Sequence, residues 1–303
     1  VGVSSGGNQT FTMTPVTGYH VDSLIVDGAN QGQLTTYTFT NVTVSHSISA
    51  VFAINQYTIT ASAGPNGSIA PNGTTVLIYG SGQAYAMTPT AGYHIDSLLV
   101  DGVNQGQLAT FSFVNLTANH TIRAVFAINQ FTILASSGLN GSISPAGAVT
   151  VNFGLNQTFV MLSALNYHVD SLFIDGVFQG QPISYTFTNV TIGHTIRVVF
   201  AINQFTITAT AAPNGSISPS GAVVLNFGLN QSFAIAPGAN YHIDSVVVDG
   251  GNQGQITAFT FTNVTANHTI SALFGINQFT ITSSAGINGT ISPAGAIIAN
   301  FGS

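Results

Sequence analysis

Histidine and aspartate are the side chains of this 303-residue sequence with metal-binding or acid–base chemistry in their spacing. His20 and Asp22 stand two residues apart, so on a strand they share a face and offer one imidazole and one carboxylate to a cation. That pair alone falls short of a structural zinc site, and the next histidine, His46, belongs to a different strand. A second arrangement, Asp27-Gly28-Ala29-Asn30, has oxygens clustered as a calcium loop needs. Its counterpart Asp175-Gly176-Val177-Phe178 puts phenylalanine where asparagine would coordinate, and an Asp-Gly turn accounts for the same residues. No metal and no cofactor are therefore expected. Paired carboxylates or a serine nucleophile would need an oriented partner set, yet these residues recur on a regular scaffold without a nucleophile elbow or a phosphate-cradling glycine loop. The reading is that the protein is not an enzyme and has no catalytic residue.

Asparagine carries the remaining chemistry. The acceptor pattern Asn-x-Ser/Thr occurs fourteen times. Asn41, Asn115, Asn189 and Asn263 fall in expected surface turns, where a glycan acceptor belongs, and Asn66, Asn140, Asn214 and Asn288 open Asn-Gly turns. These eight are the candidate N-glycosylation sites, and covalent glycans are an expected partner of an almost uncharged surface.

The elements that must hold these residues repeat on a strict period. Tyr-His appears at Tyr19-His20, Tyr93-His94, Tyr167-His168 and Tyr241-His242, 74 residues apart each time. Asp27, Asp101, Asp175 and Asp249, and Phe52, Phe126, Phe200 and Phe274, keep the same step. The expected organisation is the C-terminal part of a module at 1–56, full modules at 57–130, 131–204 and 205–278, and the N-terminal part of a module at 279–303. Val1 to Gly7 share their repeat phase with Ile297 to Ser303, as expected of an excerpt of a longer mature chain or of an assembly whose end modules complete each other.

Only 3% of residues are charged, as two arginines and eight aspartates, while 45% are hydrophobic. Nucleic-acid binding and anionic-membrane binding need a basic footprint, so both are excluded as expectations. No apolar run approaches the length that spans a bilayer, and with no cysteine the modules hold without disulfides. Edge strands usually carry lysine or proline against pairing with other chains; a chain without lysine suits a surface that touches copies of itself or is coated by sugar.

Within 131–204, short β-branched and aromatic runs alternate with turn residues: Phe131 to Ser136, Ser142 to Ser144, Ala148 to Phe153, Gln157 to Leu162, Tyr167 to Ile174, Ser184 to Thr188 and His194 to Ala201. Asn140-Gly141 reads as a tight hairpin turn. Ile196, Val198 and Phe200 alternate with Thr195, Arg197 and Val199, the pattern of a strand with one buried face. No segment shows a helical period, so the fold expected is all-β: a tandem array of four small β-sandwich or partly open barrel modules. At the joints, such as Val199 to Ile207, strand runs into strand without a flexible linker, so the array is expected to be a rod.

Phe205 to Thr208, Asn214 to Pro219, Gly228 to Phe233, Tyr241 to Gly250, Phe259 to Thr265 and His268 to Phe274 together resemble the divergent internalin B-repeat-like modules of prokaryotic cell-surface proteins. The resemblance covers the whole chain and implies tandem, secreted, β-rich modules acting as stalks or adhesive segments. The expected function is a non-catalytic extracellular structural protein building a stiff cell-surface fibre or filament, by end-to-end or lateral β pairing with copies of itself. The alternatives are an adhesin stalk that projects a separate binding domain and, ranked last, a carbohydrate-binding module. The last needs exposed aromatics, whereas tryptophan is absent and most Phe and Tyr alternate like core residues, leaving the tyrosine of each Tyr-His pair. If glycans are carried, intact-mass measurement of native material will exceed the 31.2 kDa of the bare polypeptide; the bare mass would remove the idea.

Overall fold

Residues 57–130 display the local logic in full. Thr, Val, Ile and aromatic residues alternate inward and outward along eight strands, which suits a pleated surface with one wet face. They are β1 (Gln56–Ala63), β2 (Gly67–Ala70), β3 (Gly73–Ile78), β4 (Gln83–Pro89), β5 (Tyr93–Val100), β6 (Val103–Asn104), β7 (Thr110–Phe113) and β8 (His120–Ile128). The computed structural model describes all 303 residues, 1–303, and contains no helix.

Two sheets form each module. Five strands make a mixed sheet in the order β6-β5-β8-β1-β3, and three make an antiparallel sheet in the order β7-β4-β2. The first and last strands, β1 and β8, lie side by side and parallel, with Ile59 opposite His120 and Ala63 opposite Ala124. All other pairings are antiparallel, as between β5 and β8, where a bulge falls between Ile95 and Ser97. Both sheet orders recur at 131–204 and 205–278. The architecture is an open two-sheet arrangement in which neither sheet closes on itself, as a small sandwich or partly open barrel requires.

Asn-Gly behaves differently from the expected hairpin. Strands β1 and β2 never pair, because β1 belongs to the five-stranded sheet and β2 to the three-stranded one. The dipeptide carries the chain across the sandwich. Asn66, Asn140 and Asn214 adopt left-handed backbone, at φ 70°, 66° and 75°. The following glycines lie against phenylalanine rings: a Cβ on Gly67 would stand 2.4 Å from Phe126, and one on Gly215 2.3 Å from Phe274. Asparagine supplies the turn and glycine the close approach. The two-residue strand β6 after the Asp-Gly turn was not expected; two residues carry too little alternation to register as a strand.

The chain divides into two compact units, Val1–Thr132 with Thr150–Gln157 and Thr188–Ile192, and Ile133–Val149 with Thr158–Phe187 and Gly193–Ser303. In the first, Ile59, Leu98, Leu116, Ile122 and Tyr85 form the centre of a core at 57–130, and Leu24 with Val21, Val26 and Phe39 forms a second at 1–56. In the second unit, Ile207, Phe233, Val246, Val264 and Ile270 repeat the arrangement. Phe52 is 42% exposed, whereas Phe200 is buried.

A polar brace ties the sheets together at four places. Asp27, Asp101, Asp175 and Asp249 sit in left-handed backbone at the turn after β5 or its equivalent. One carboxylate oxygen accepts the backbone N–H of Ser47, Thr121, Thr195 or Thr269 at 2.7 to 2.8 Å. The other accepts Nδ1–H of His46, His120, His194 or His268 at 2.6 to 2.7 Å. A carboxylate only accepts, so Nδ1 carries the hydrogen. Each imidazole also lies 4.8 to 4.9 Å from a phenylalanine ring of the three-stranded sheet or its equivalent: Phe39, Phe113, Phe187 or Phe261. The brace therefore joins β5 to β8 within one sheet and reaches the other through the ring.

These bonds lower the aspartate pKa. For Asp27 the Ser47 N–H contributes most, then His46; for Asp101 and Asp175 the histidine leads, then the threonine N–H. At Asp249 burial pushes upward, and the bonds from Thr269 and His268 outweigh it. A carboxyl whose folded pKa lies below its unfolded value, about 3.9, contributes stability that is present above that value and is lost as the pH falls through the lowered one. Tm should accordingly fall as the pH drops below about 4. An Asp175→Asn variant, less stable at neutral pH, should show a shallower fall over that window; equal slopes would remove this source of acid lability. A second prediction concerns Tyr85, whose hydroxyl is buried without a hydrogen-bond partner. Burial raises its pKa, and Thr75 is near enough to pull it back but not in bonding geometry. The other copies have Phe11, Phe159 and Phe233 there. Tyr85→Phe should stabilise by about 1 kcal/mol, read by urea unfolding.

Candidate functional site

The joints between modules concentrate the polar side chains that the braces leave over. Strand β8 ends at Ile128 and the next strand begins at Gln130, so a single asparagine separates them. That residue is Asn55, Asn129, Asn203 or Asn277, and each is held on three sides. Its N–H donates backward to the carbonyl of Gly18, Gly92, Asn166 or Asn240 at 2.8 to 3.0 Å. Its carbonyl accepts, at 2.8 to 2.9 Å, the N–H of an aromatic residue just after the strand equivalent to β3 in the following module: Tyr79, Phe153, Phe227 or Phe301. Its side-chain Oδ1 accepts Nδ1–H of His20, His94, His168 or His242 at 2.8, 2.8, 2.9 and 3.2 Å.

Backbone conformation and packing complete the clamp. The residue whose carbonyl closes the backward bond is left-handed in every copy, with φ of 84°, 84°, 67° and 69°. Only glycine and asparagine occupy it, the residues that tolerate that region best. Gly18 is covered so closely by the Tyr79 ring that a Cβ would stand 2.3 Å away, and Gly92 is covered likewise by Phe153 at 2.4 Å. The aromatic following β3 thus packs its ring on the preceding module while its N–H holds the joint asparagine.

His20 is consequently a joint residue and His46 a brace residue, and the His20–Asp22 pair does not converge with Asp27 and His46 on one point. No group of three or more His, Cys, Asp or Glu is placed to hold a metal ion. What these groups can do chemically is hold rather than react. The histidine of the Tyr-His signature donates from Nδ1, a role that both the neutral ring protonated there and the imidazolium can fill. Sequence reasoning found the linker-free joint but missed the clamp. Its signal was available: an asparagine recurs 35 residues after each Tyr-His histidine.

The eight candidate acceptor asparagines, Asn41, Asn115, Asn189, Asn263, Asn66, Asn140, Asn214 and Asn288, are all exposed. Asn41, Asn115, Asn189 and Asn263 share left-handed φ of 48° to 52°. Other asparagines of the same pattern are engaged in the fold. Asn8, Asn156 and Asn230 accept the N–H of Asn41, Asn189 and Asn263 at 2.7 to 2.9 Å. Asn119 and Asn267 accept the N–H of Thr58 and Thr206 at 2.8 Å.

Comparison with known proteins bears on the modules directly. The family model of the divergent InlB B-repeat domain matches residues 2–56 and again 57–130. No curated protein matches the chain. Among solved structures, the Bacillus anthracis TIE protein is similar at 9% identity and a TM-score of 0.33, over 88% of this chain and 67% of that one. The pilus adhesin SpaC from Lactobacillus rhamnosus GG, in its open conformation, is similar at 8% identity and a TM-score of 0.20, over 81% of this chain and 47% of that one. Neither superposition is close enough to add to the assignment, which rests on the matched residues and on the 74-residue recurrence of Tyr-His, Asp-Gly and the joint asparagine through the rest of the sequence. Residues 2–56 and 57–130 each match the divergent InlB B-repeat domain, and the 74-residue repeat they belong to continues through the rest of the chain.

Proposed function

We propose that this chain is a length of non-catalytic, extracellular spacer, a stiff fibre or stalk at a bacterial cell surface whose modules are set at fixed orientation by their joints. One observation carries the reading: a one-residue linker with its N–H, its carbonyl and its side chain all engaged, four times over. A flexible tether needs free backbone torsions, and at these joints the hydrogen bonds of the linking asparagine hold them. Similarity of residues 2–130 to the divergent InlB B-repeat domain supports the surface location and the absence of catalysis.

Assembly with copies of itself is the form we favour over a stalk that lifts a separate binding domain. Edge strand β3 (Gly73–Ile78) carries no charge and no proline, so it lacks the usual protection against pairing with another chain. Glycans on the exposed turn asparagines would sit close to the joints: the carbonyl of Leu116, next to Asn115, accepts the N–H of Gly80, which follows the joint aromatic Tyr79. Ile207 lies opposite His268, and its counterpart in the next module is Ile281. The step along the strand line is 281 − 268 = 13 residues, which at strand rise gives an axial repeat of about 40 Å.

Electron microscopy of native material tests the two forms. Unbranched filaments with that spacing support assembly; isolated rods, each ending in a distinct globular head, would make the chain an adhesin stalk. Stiffness is tested separately by small-angle scattering. His94→Ala removes one bond of the clamp, worth about 1 kcal/mol, and Asn129→Gly removes the side-chain anchor and frees the backbone. Both should broaden the distribution of interatomic distances at long range while leaving far-UV dichroism unchanged. An unaltered distribution would mean that the clamp does not set the orientation.

A further inference from the structure

One copy departs from its siblings on the outer face of the five-stranded sheet. Where other copies have Thr60 and Thr208, this one has Leu134; where they have Asn30, Asn104 and Asn252, it has Phe178; where they have Ile25, Leu99 and Val247, it has Phe173. Leu134 is 53% exposed and Phe178 59% exposed, so Phe178 is an exception to the core placement of most phenylalanines. Phe173 and Phe178 meet edge to face at 6.0 Å between centroids. The Arg197 guanidinium carbon lies 4.7 Å from the Phe173 centroid, a cation–π contact that holds it over the sheet. Leu134, Ser136, Phe173, Gly176, Thr195 and Arg197 line a groove of about 310 Å³.

Arg197 has no carboxylate of its own. The ion pairs of the chain are the four histidine–aspartate braces, and Asp175, in the turn after the neighbouring strand, is taken up by His194 and the Thr195 N–H. The siblings carry Thr and Asn in place of Leu134 and Phe178 on the same fold, so folding does not require the apolar pair.

We propose that this face binds an acidic polysaccharide, a sugar chain bearing uronate carboxylates. Arg197 would take the carboxylate in the two-pronged geometry guanidinium favours. The exposed ring of Phe178 would receive the apolar C–H face of a pyranose, and the Ser136 and Thr195 hydroxyls would bond its ring hydroxyls. The position favours sugar over peptide. The strands beneath, Gln130–Ser137, His194–Ile202 and Tyr167–Ile174, pair with one another inside the sheet. An extended peptide would find no free main chain there, because strand addition needs a sheet edge. Side-chain hydroxyls, an aromatic face and one cation are what the groove offers.

Calorimetric titration of the full chain with a short oligogalacturonate, and with its methyl ester as the uncharged counterpart, tests this. Binding of the acid form, weaker for the ester, is expected. Arg197→Gln should weaken it by about tenfold or more, the loss of one charge-assisted bond. Leu134→Thr and Phe178→Asn, which install sibling residues, should weaken it with thermal unfolding unchanged. Arg123→Gln, at the equivalent position beside Leu99 and Thr60, should leave it unaltered. No binding of the acid form, equal affinity for the ester, indifference to Arg197→Gln, or tighter binding of the peptide Asp-Phe-Asp-Phe would each overturn the proposal.

Discussion

Parallel pairing of the first and last strands of the module is the constraint from which the rest follows. Parallel neighbours cannot be joined by a tight turn and need a long crossover; here the whole intervening module, with both sheets, is that crossover. Because β1 and β8 run in the same direction, the chain enters a module at one end and leaves at the other, with the second half of β8 extending past Ala63, the last residue of β1. The outgoing strand needs no linker to reach the next module. One asparagine suffices, and its three polar groups are then close enough to both neighbours to be bonded by them.

A surface with so few charges also finds its cohesion in this arrangement. Where soluble sheets often carry ion pairs across strands, these use hydroxyl pairs: Thr10 with Thr38 at 2.9 Å and Ser232 with Thr260 at 2.8 Å, each between the strands equivalent to β4 and β7. Cross-strand hydroxyl pairs contribute modestly each, on the order of 0.2–1 kcal/mol, but they need no counter-charge. Four of the eight aspartates stand at the brace, where one carboxylate satisfies a backbone N–H and an imidazole at once, as Asp101 does. Arginine at two places is an exception to this economy, and Arg197 is the one held over an aromatic ring.

Internal repetition acts as a control on each structural statement. At the carbonyl that closes each joint, Gly18 and Gly92 give way to Asn166 and Asn240 while φ stays left-handed, so the position selects conformation rather than residue. At Tyr85 the phenylalanine of the siblings gains a hydroxyl that the core does not bond. At Leu134 and Phe178 polar residues become apolar on an exposed face. The first variation is neutral and the second is a cost; the third gains nothing for the fold, which is why it points outside it.

The sequence by itself determined the period, the all-β class and most strand positions, because a two-residue alternation of burial is written directly in residue types. Tyr167 to Ile174 is the same strand by either route, and Ile196, Val198 and Phe200 are buried as their alternation requires. The similarity to divergent InlB B-repeats was legible for the same reason, in motifs that recur without insertion. Tertiary structure alone decided which strand pairs with which. Asn140-Gly141 has the local chemistry of a hairpin and instead passes the chain between sheets, because pairing is chosen by burial of whole faces rather than by turn propensity. The roles of the histidines were equally hidden: His20 and Asn55 are 35 residues apart, and His46 and Asp27 are 19. Which imidazole meets which partner depends on sheet order and register, and neither is a property of residue spacing.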